Sequence, residues 1–328
     1  MTGPAPHEAL WQLTNAGVAA RCLQVVTELG VPDRIGDEPR SAAELASACG
    51  ADADSLDRVL RLLTAHGVFE ARDGAYAHSE RSRLLRADHP ASMRAMVMMS
   101  GLPLFTASLQ ELAHSVRTGA PGADLVAPDG VWEYLRERSD AGRVFDAAMS
   151  AKARADIAAV LAAVDFARFA TIADVGGGRG HLLRAALEAA PAARGVLFDL
   201  PAVLARVEGS DRMRLHPGSF FDDPLPAADA YLLMEVLHDW ADAESAAVLA
   251  AVRRAAPPGA RVLVVENLLA EDAPDPRGWT LDVLMLAVTG GRERTAAQLT
   301  ALLGAAGFTP SGVTRTSGRL WVVEATVV

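Results

Sequence analysis

The chain of 328 residues is 51% apolar and 22% charged, a composition typical of a soluble protein with a packed core and not of a disordered one. Its net charge of −10 argues against nucleic acid as the main partner, since phosphate binding needs a concentrated basic surface. No secretory leader or apolar span of roughly 20 residues is visible, and two cysteines with scattered histidines favour a reducing cytoplasm and no metal site.

The N-terminal part of the chain is predicted to be helical. Apolar residues recur at three- and four-residue spacing over residues 7–35, and Gly30 with Pro32 is expected to end this first helix. Ser41 is followed three residues later by Glu44, the spacing of a capping box. These signals predict consecutive short helices.

A hairpin is predicted directly after the third helix. Asp73-Gly74 separates two short β-prone segments, as in a tight hairpin turn, and helices followed by a small hairpin indicate a winged-helix arrangement. Winged helices often bind DNA, yet the presumed recognition segment 52–66 carries three aspartates against two arginines. That segment favours a packing or dimerisation role.

Residues 91–155 are predicted to be mostly helical and are rich in methionine. Methionines at helical spacing are typical of core filling, and the second interpretation is a pliable wall for an apolar ligand. The Gly- and Pro-rich residues 117–132 are predicted to form a loop.

From residue 169 onward, strands and helices alternate, which predicts an α/β fold with a doubly wound, mostly parallel sheet. One strand is expected to run over residues 228–239 and to carry His238. A helix is expected over residues 202–209, and the last strand, 320–328, is expected at the edge of the sheet.

A glycine turn, "DVGGGRG", follows the first of these strands. Gly176, Gly178 and Gly180 form G-x-G-x-G and not the dinucleotide fingerprint, because the position of its third glycine holds His181. Asp199 ends the next strand about 20 residues on, where an acid can accept hydrogen bonds from both ribose hydroxyls. The alternative is a tight structural turn with an unrelated surface aspartate.

The chain resembles the class I S-adenosylmethionine-dependent small-molecule O-methyltransferases, a family that includes plant phenolic, acetylserotonin and bacterial natural-product enzymes. The resemblance rests on the order and spacing of several motifs over nearly the whole chain: "DVGGGRG", "FDLP", "GSFFDDPLP", "VLHDWAD", "VENLL" and "GGRERT". It implies a class I methyltransferase fold, a homodimer, S-adenosyl-L-methionine as cofactor and S-adenosyl-L-homocysteine as product. The implied domains are a winged-helix-like dimerisation domain (1–90), a helical linker and substrate-pocket segment (91–155) and a catalytic domain (156–328).

His238 is the candidate general base. It is expected at the carboxyl end of a sheet strand, where open α/β sheets bind ligands, and its unperturbed pKa of roughly 6.5 suits proton removal near neutral pH. The resemblance implies that role, with Asp239 beside it and the carboxylates of Glu266 and Glu293 flanking it. The alternative for His238 alone is a capping or core histidine.

The resemblance also implies a set of binding residues. Two of them depart from the family, because relatives often have Asp at the position of Ser219 and Lys or Arg at that of Glu235. The cofactor-binding candidates are Asp174, Gly176, Gly177, Gly178, Asp199, Leu200, Ser219, Phe220 and Glu235. The substrate-pocket candidates are Phe145, Met149, Asp282 and Met285, with Trp132 as either a packing or a pocket residue.

Together these observations predict an S-adenosylmethionine-dependent O-methyltransferase that acts on a hydroxyl of a small aromatic natural product. No nucleic acid or membrane partner is expected. One alternative is a family member that keeps the cofactor but carries out hydroxylation, decarboxylation or pericyclic chemistry. The other is a winged-helix regulator whose C-terminal half senses a ligand, which the acidic recognition segment disfavours.

Overall fold

The computed structural model describes residues 5–327, with the backbone alone at residue 155. The chain divides into two compact units. The first consists of the residues up to Pro103 together with Asp140–Ala151, and the second of Leu104–Ser139 together with the residues from Lys152 onward.

The first unit consists of short helices around one hairpin. Its elements are α1 (Pro6–Glu28), α2 (Val31–Arg34), α3 (Ala42–Cys49), α4 (Ala53–Ala65), β1 (Phe69–Arg72), β2 (Ala75–His78), α5 (Glu80–Arg83) and α6 (Arg94–Ser100). The first helix ends at Glu28, just before Gly30, as predicted. Pro32 lies in the first turn of the next helix, α2, where its missing N–H needs no partner. The capping box is confirmed, since Glu44 N donates to Ser41 Oγ and Ser41 N donates to Glu44 Oε2.

The predicted hairpin is also confirmed. β1 pairs antiparallel with β2 from Phe69–His78 to Arg72–Ala75. Asp73 and Gly74 both have positive φ, 51° and 78°, which is the backbone that a two-residue hairpin turn requires. Buried apolar side chains from α1 to α4 and from the hairpin form the core of this unit.

The second unit contains the large sheet. Its helices are α7 (Pro103–Gln110), which begins at the boundary of the first unit, α8 (Leu112–Thr118), α9 (Val131–Glu137), α10 (Ser139–Ala163), which contributes to both units, α11 (His181–Ala189), α12 (Pro201–Leu204), α13 (Asp242–Ala255), α14 (Pro276–Val288) and α15 (Ala296–Ala305). Its strands are β3 (Thr171–Val175), β4 (Arg194–Asp199), β5 (Met213–Pro217), β6 (Ala230–Met234), β7 (Arg261–Glu266), β8 (Leu268–Leu269), β9 (Arg294–Thr295), β10 (Phe308–Arg315) and β11 (Trp321–Val327). The helix expected over residues 202–209 is a single turn, α12.

The predicted doubly wound, mostly parallel sheet is confirmed, with the strand order β10-β11-β7-β6-β3-β4-β5. β3 to β7 pair parallel, while β11 is antiparallel to both β7 and β10. The last strand was therefore wrongly predicted at the edge, and residue 328 of that prediction lies outside the described residues. The edge strand on this side of the sheet is β10. Its Pro310 and Gly312 flank a register shift, and both residue types are unusual in strands, so no strand signal is visible there in the sequence.

Apolar side chains cover both faces of the sheet. On one face, Val175 and Leu233 pack with residues of α13 and α15. On the other face, Ile172 and Leu232 pack with residues of α10 and α11. Because the chain runs from β3 to β4 and β5 on one side and then returns to β6, the order reverses between β3 and β6, the place where such sheets bind ligands.

Among the helices of residues 5–327, none is long and apolar enough to cross a membrane. In the same range, no three or more His, Cys, Asp or Glu side chains are grouped so that they could hold a metal ion.

Candidate active site

The carboxyl ends of β3, β4, β6 and β7 lie at one edge of the sheet because these strands are parallel. The glycine turn follows β3, Asp199 ends β4, the histidine follows β6, and Glu266 ends β7. The sheet thus brings together motifs that are up to about 90 residues apart in sequence.

His238 lies on a turn and not on the strand predicted for residues 228–239. β6 ends at Met234, and Glu235 then adopts a left-handed backbone with φ of 53°, which is uncommon for a residue with a side chain. A 3₁₀ turn, Leu237–Asp239, follows. We call residues 236–240 the histidine turn.

Glu266 holds the amino end of the histidine turn. Its Oε1 accepts hydrogen bonds from the backbone amides of residues 236, 237 and 238, at 3.2, 3.0 and 3.3 Å. Its Oε2 lies 3.8 Å from His238 Nδ1 and has no hydrogen-bond partner within the described part of the chain. Glu266 therefore flanks the histidine, but its main contacts are with the backbone.

The imidazole of His238 is buried and bound on one side by a carboxylate. His238 Nδ1 is 2.7 Å from Oε1 of the fully buried Glu293, and His238 Nε2 is 3.8 Å from Asp239 Oδ1. A carboxylate accepts the hydrogen on Nδ1, which leaves the lone pair of the neutral ring on Nε2. Nε2 is therefore the nitrogen that can take a proton.

Burial and charge act in opposite directions on this cluster. Burial lowers the pKa of His238, but the charges of Glu266 and Asp239 and the hydrogen bond that His238 donates to Glu293 outweigh it and raise that pKa to about 9. Burial raises the pKa of Glu266 to about 7, even though the charge of His238 acts to lower it. Burial also raises the pKa of Asp239. A single imidazolium is thus the nearest positive charge to three carboxyl groups, those of Asp239, Glu266 and Glu293.

The segment 290–294 packs against the histidine turn through backbone contacts. Arg292 N donates to His238 O at 2.9 Å, and a side chain at Gly291 would overlap that same carbonyl, which explains the glycine. Asp282, predicted for the acceptor pocket, accepts the backbone N–H of Glu293 at 2.8 Å. Its observed contact thus supports the carboxylate that binds His238.

The glycine turn after β3 is built around two acids. Gly178 N donates to Asp199 Oδ2 at 2.8 Å, and Leu200 N donates to Asp199 Oδ1 at 2.7 Å. A side chain at Gly177 would overlap the carboxylate of Asp174. Burial raises the pKa of Asp174 to about 7, and its Oδ2 has no hydrogen-bond partner among residues 5–327.

Aromatic rings form one wall beside the glycine turn and the histidine turn. Phe220 lies 3.8 Å from where a side chain of Gly176 would start. The ring of Trp240 is 5.8 Å from that of Phe220, 4.8 Å from that of Phe221 and 6.5 Å from that of Trp132. Four aromatic residues from three segments therefore form one cluster.

Ser219, which replaces the expected aspartate, forms local contacts. Its Oγ accepts the N–H of Phe221 at 3.2 Å, and its N–H donates to Asp223 Oδ2 at 2.8 Å. The side chain thus stabilises the turn that carries the ring of Phe220.

Glu235, which replaces the expected cation, is surrounded by cations. Its Oε1 is 2.7 Å from Lys152 Nζ and 2.7 Å from Arg319 Nη2, and Arg319 Nη2 also contacts Asp156 Oδ2 at 2.8 Å. Burial acts to raise the pKa of Glu235, yet the charges of Lys152 and Arg319 lower it to about 2. The departure is therefore compensated by two basic residues far away in sequence.

The structure brings together His238, Asp239, Glu266 and Glu293 at one edge of the sheet. Met285 is buried on α14. Phe145 and Met149 lie on α10 within the first unit, so their role in an acceptor pocket stays a prediction.

Sequence reasoning missed three basic residues that contact this edge, Lys152, Arg319 and Arg294. Lys152 and Arg319 carry no motif. Arg294 stands next to Glu293 inside "GGRERT", so its place in the motif was the available signal.

Sequence-family models match nearly the whole chain. The model of the O-methyltransferase domain matches residues 109–309, and that of the O-methyltransferase dimerisation domain matches residues 11–88.

Individual proteins of known activity are similar to this chain over most of their own length. A mitomycin biosynthesis 6-O-methyltransferase of Streptomyces lavendulae is 34% identical over 93% of this chain and 89% of its own. An 8-amino-8-demethylriboflavin N,N-dimethyltransferase of Streptomyces davaonensis is 36% identical over 96% of this chain and 94% of its own. The crystal structure of an O-methyltransferase from neocarzinostatin biosynthesis, in complex with S-adenosylmethionine and 2-hydroxy-5-methyl naphthoic acid, matches with a TM-score of 0.83 and 36% identity, covering 94% and 96%.

Proposed function

The chain belongs to the O-methyltransferase family, and from this premise we propose that it methylates a hydroxyl group of a small aromatic compound with His238 as the general base. It has the class I methyltransferase fold, and its activity is S-adenosyl-L-methionine-dependent O-methylation of the natural-product type. The aromatic acceptor and the histidine base are the parts we propose.

The observation that supports the base is the pairing of His238 Nδ1 with Glu293 Oε1 at 2.7 Å. This hydrogen bond fixes the tautomer that can accept a proton on Nε2 and stabilises the imidazolium that results. Nε2 accepts the proton of the acceptor hydroxyl, whose oxygen gains the methyl group that the cofactor would supply. The rings of Trp132, Phe221 and Trp240, which pack together beside the histidine turn, suit a flat acceptor.

The residues present fit S-adenosyl-L-methionine. We propose that Asp199, at the end of β4 beside the backbone amide of Gly178, accepts the ribose hydroxyls and that the ring of Phe220 packs on the adenine. Asp174, whose Oδ2 has no hydrogen-bond partner in the described range, lies directly under the glycine turn. When bound, this cofactor supplies an electrophilic methyl group on a positively charged sulfur, and S-adenosyl-L-homocysteine is the product.

The raised pKa of His238 links cofactor binding to proton removal. With a pKa of about 9, the free enzyme holds His238 mainly as imidazolium at neutral pH. A positive charge bound near the ring lowers that pKa, because like charges disfavour the charged form. We therefore expect the base to become available mainly in the cofactor complex.

The homodimer is supported by the dimerisation-domain match over residues 11–88. On α1 of the first unit, Leu10, Trp11 and Leu13 are 66, 63 and 74% exposed. Apolar side chains that project this far from a helix are costly in water, so we propose that a second copy of the chain covers them.

Incubation with labelled S-adenosyl-L-methionine and a panel of phenols and aromatic amines tests the acceptor. We expect a mass gain of one methylene unit on a phenol. Methylation of the amines alone would favour the second candidate, N-methylation, which the similarity to the riboflavin-type N,N-dimethyltransferase keeps open. Retention of cofactor with no methylated acceptor would favour non-methylating chemistry.

His238→Gln tests the base. Turnover should fall about 10²–10⁴-fold, the ordinary contribution of a general base, while calorimetry should show that the cofactor still binds. Near-normal turnover of this variant across neutral pH would refute the general-base role.

A further inference from the structure

Arg294 is a buried arginine that no step of the proposed reaction uses. Its side chain is 5% exposed, and it follows directly after Glu293, the residue that binds the imidazole. Burying a guanidinium is costly unless its donors are satisfied, so its partners indicate what the charge is for.

The guanidinium is bound almost entirely to the histidine turn and the residues just after it. Nη1 donates to Leu237 O at 2.9 Å, and Nη2 donates to Trp240 O at 2.9 Å. Nη2 also donates to Ser245 Oγ at 3.1 Å, while Nε and Nη2 share Asp242 Oδ1 at 3.0 and 2.8 Å. The fork therefore binds one carbonyl before His238 and one after it.

The backbone of Arg294 fixes the other partner of the histidine. Arg294 pairs with Leu268 in the short β8–β9 ladder, and Leu268 lies two residues after Glu266. Glu293 is thus held between this ladder contact and the Asp282 carboxylate that accepts its N–H. One residue connects the turn that carries the imidazole to the segment that carries its carboxylate.

We propose that Arg294 is a positioning residue that sets the His238–Glu293 geometry, an inference that rests on the proposed function of His238 as base. A planar five-donor fork can hold two carbonyls, a hydroxyl and a carboxylate at fixed angles, which a single ammonium cannot do. Loss of the fork lets the turn and the 290–294 segment move relative to each other, and the Nδ1–Oε1 hydrogen bond weakens.

The test uses Arg294→Lys and Arg294→Gln, with Arg292→Gln as the matched control. Arg292 lies two residues away and reaches the same Asp242 at 3.5 Å, but its side chain is 48% exposed. Its backbone N–H, which bonds His238 O, is kept in Arg292→Gln. For each variant, cofactor affinity, kcat, KM for the acceptor and the NMR titration of labelled His238 are measured, with His238→Gln assigning the resonance.

The direction of the His238 titration separates positioning from charge. Removing a nearby positive charge alone would raise the pKa of His238, whereas weakening its bond to Glu293 lowers it. We expect the midpoint to fall in both Arg294 variants and kcat to fall about 10–100-fold, as for a displaced catalytic group, with cofactor affinity within about twofold. Lysine keeps the charge and should show the smaller loss, and Arg292→Gln should match wild type.

Asp242→Asn is a second test of the Arg294 role, and it leaves the buried arginine in place. The Asp242 side chain is 61% exposed, so this variant should fold, and Arg294 loses its charged acceptor. Loss of the Asp242 charge by itself also lowers the His238 midpoint, so the quantity compared in this variant is kcat, which should fall by a smaller factor than in the Arg294 variants.

An unchanged or raised His238 midpoint in folded Arg294 variants would overturn the positioning role. If the Arg294 variants do not fold, an unchanged kcat in Asp242→Asn overturns it instead. The titration needs no turnover, so a lowered midpoint in an enzyme that methylates no acceptor would preserve the positioning role and reject the proposed function.

Discussion

Two glutamates lie at the carboxyl ends of neighbouring parallel strands of the sheet, and their pKa values shift in opposite directions. β6 and β7 pair in register up to Met234 and Val265, so Glu235 and Glu266 follow at the same edge. The pKa of Glu235 is lowered to about 2, whereas that of Glu266 is raised to about 7. Burial acts in the same direction on both, so burial does not explain the difference.

The neighbours explain it. Glu235 contacts two full positive charges, Lys152 and Arg319, each at 2.7 Å. Glu266 has three backbone amides on one oxygen and shares the charge of His238 with Glu293 and Asp239. Adjacent cations outweigh desolvation, while amides and a shared imidazole do not. Glu235 is therefore a fixed anion, and Glu266 is an acid that titrates near neutral pH.

The largest effect should come from Arg319→Met, which removes a cation from Glu235 and Asp156 together. Leaving buried carboxylates without their partner costs about 3–5 kcal/mol, so urea denaturation should show a loss of that size. The control is Arg168→Met. Its pair with Glu324 has the same 2.7 Å distance but a 39% exposed arginine, and should cost at most about 1 kcal/mol. Equal losses of unfolding free energy in Arg319→Met and Arg168→Met would mean that the ion pairs of Glu235 contribute no more than a surface pair.

The sequence was enough to predict which residues meet at this edge, because most of their motifs stand at the carboxyl ends of parallel strands. Parallel strands bring "VLHDWAD", "VENLL" and the glycine turn to one edge, and the pairing of His238 with Glu293 followed from the family resemblance. Asp199 is bound to the glycine turn by the N–H of Gly178, and its role toward a ribose stays a prediction.

The environment of Glu235 could not be predicted in this way. Lys152 precedes Glu235 by 83 residues and Arg319 follows it by 84, and neither lies in a motif. The left-handed backbone of Glu235 also could not be predicted from the sequence, because glycine or asparagine is the usual residue in that conformation. Contacts of this kind depend on how α10 and the β10–β11 connection pack on the sheet, which periodicity does not encode.

The second prediction concerns the pH dependence of stability, in which the two glutamates should differ in sign. The pKa of folded Glu235 lies below its unfolded value of 4.5, so its ionisation stabilises the fold above that pH, and this is lost as pH falls toward 2. The pKa of folded Glu266 lies above 4.5, so its ionisation destabilises the fold increasingly from pH 4.5 to about 7. Each effect is on the order of 3 kcal/mol.

Glu235→Gln and Glu266→Gln measure these effects separately by urea denaturation at about pH 5 and about pH 8. Glu266→Gln should gain stability relative to wild type as pH rises, since glutamine can still accept the three amides. Glu235→Gln should be less stable than wild type at both values. A Glu266→Gln variant that loses stability with rising pH would mean that its carboxylate is stabilised in the folded protein.

The smallest effect concerns the pH at which the enzyme gains activity. Glu266 is the largest of the charges that raise the pKa of His238, so Glu266→Gln should lower the pH midpoint of kcat/KM for the cofactor, which reports the free enzyme, by about one pH unit. Glu235→Gln should move it less, because Lys152 and Arg319 already balance that charge. Equal shifts of the kcat/KM midpoint in Glu235→Gln and Glu266→Gln would mean that Lys152 and Arg319 do not screen the charge of Glu235 from the imidazole. The two glutamates would then differ in their effect on folding stability but not in their effect on the pKa of His238.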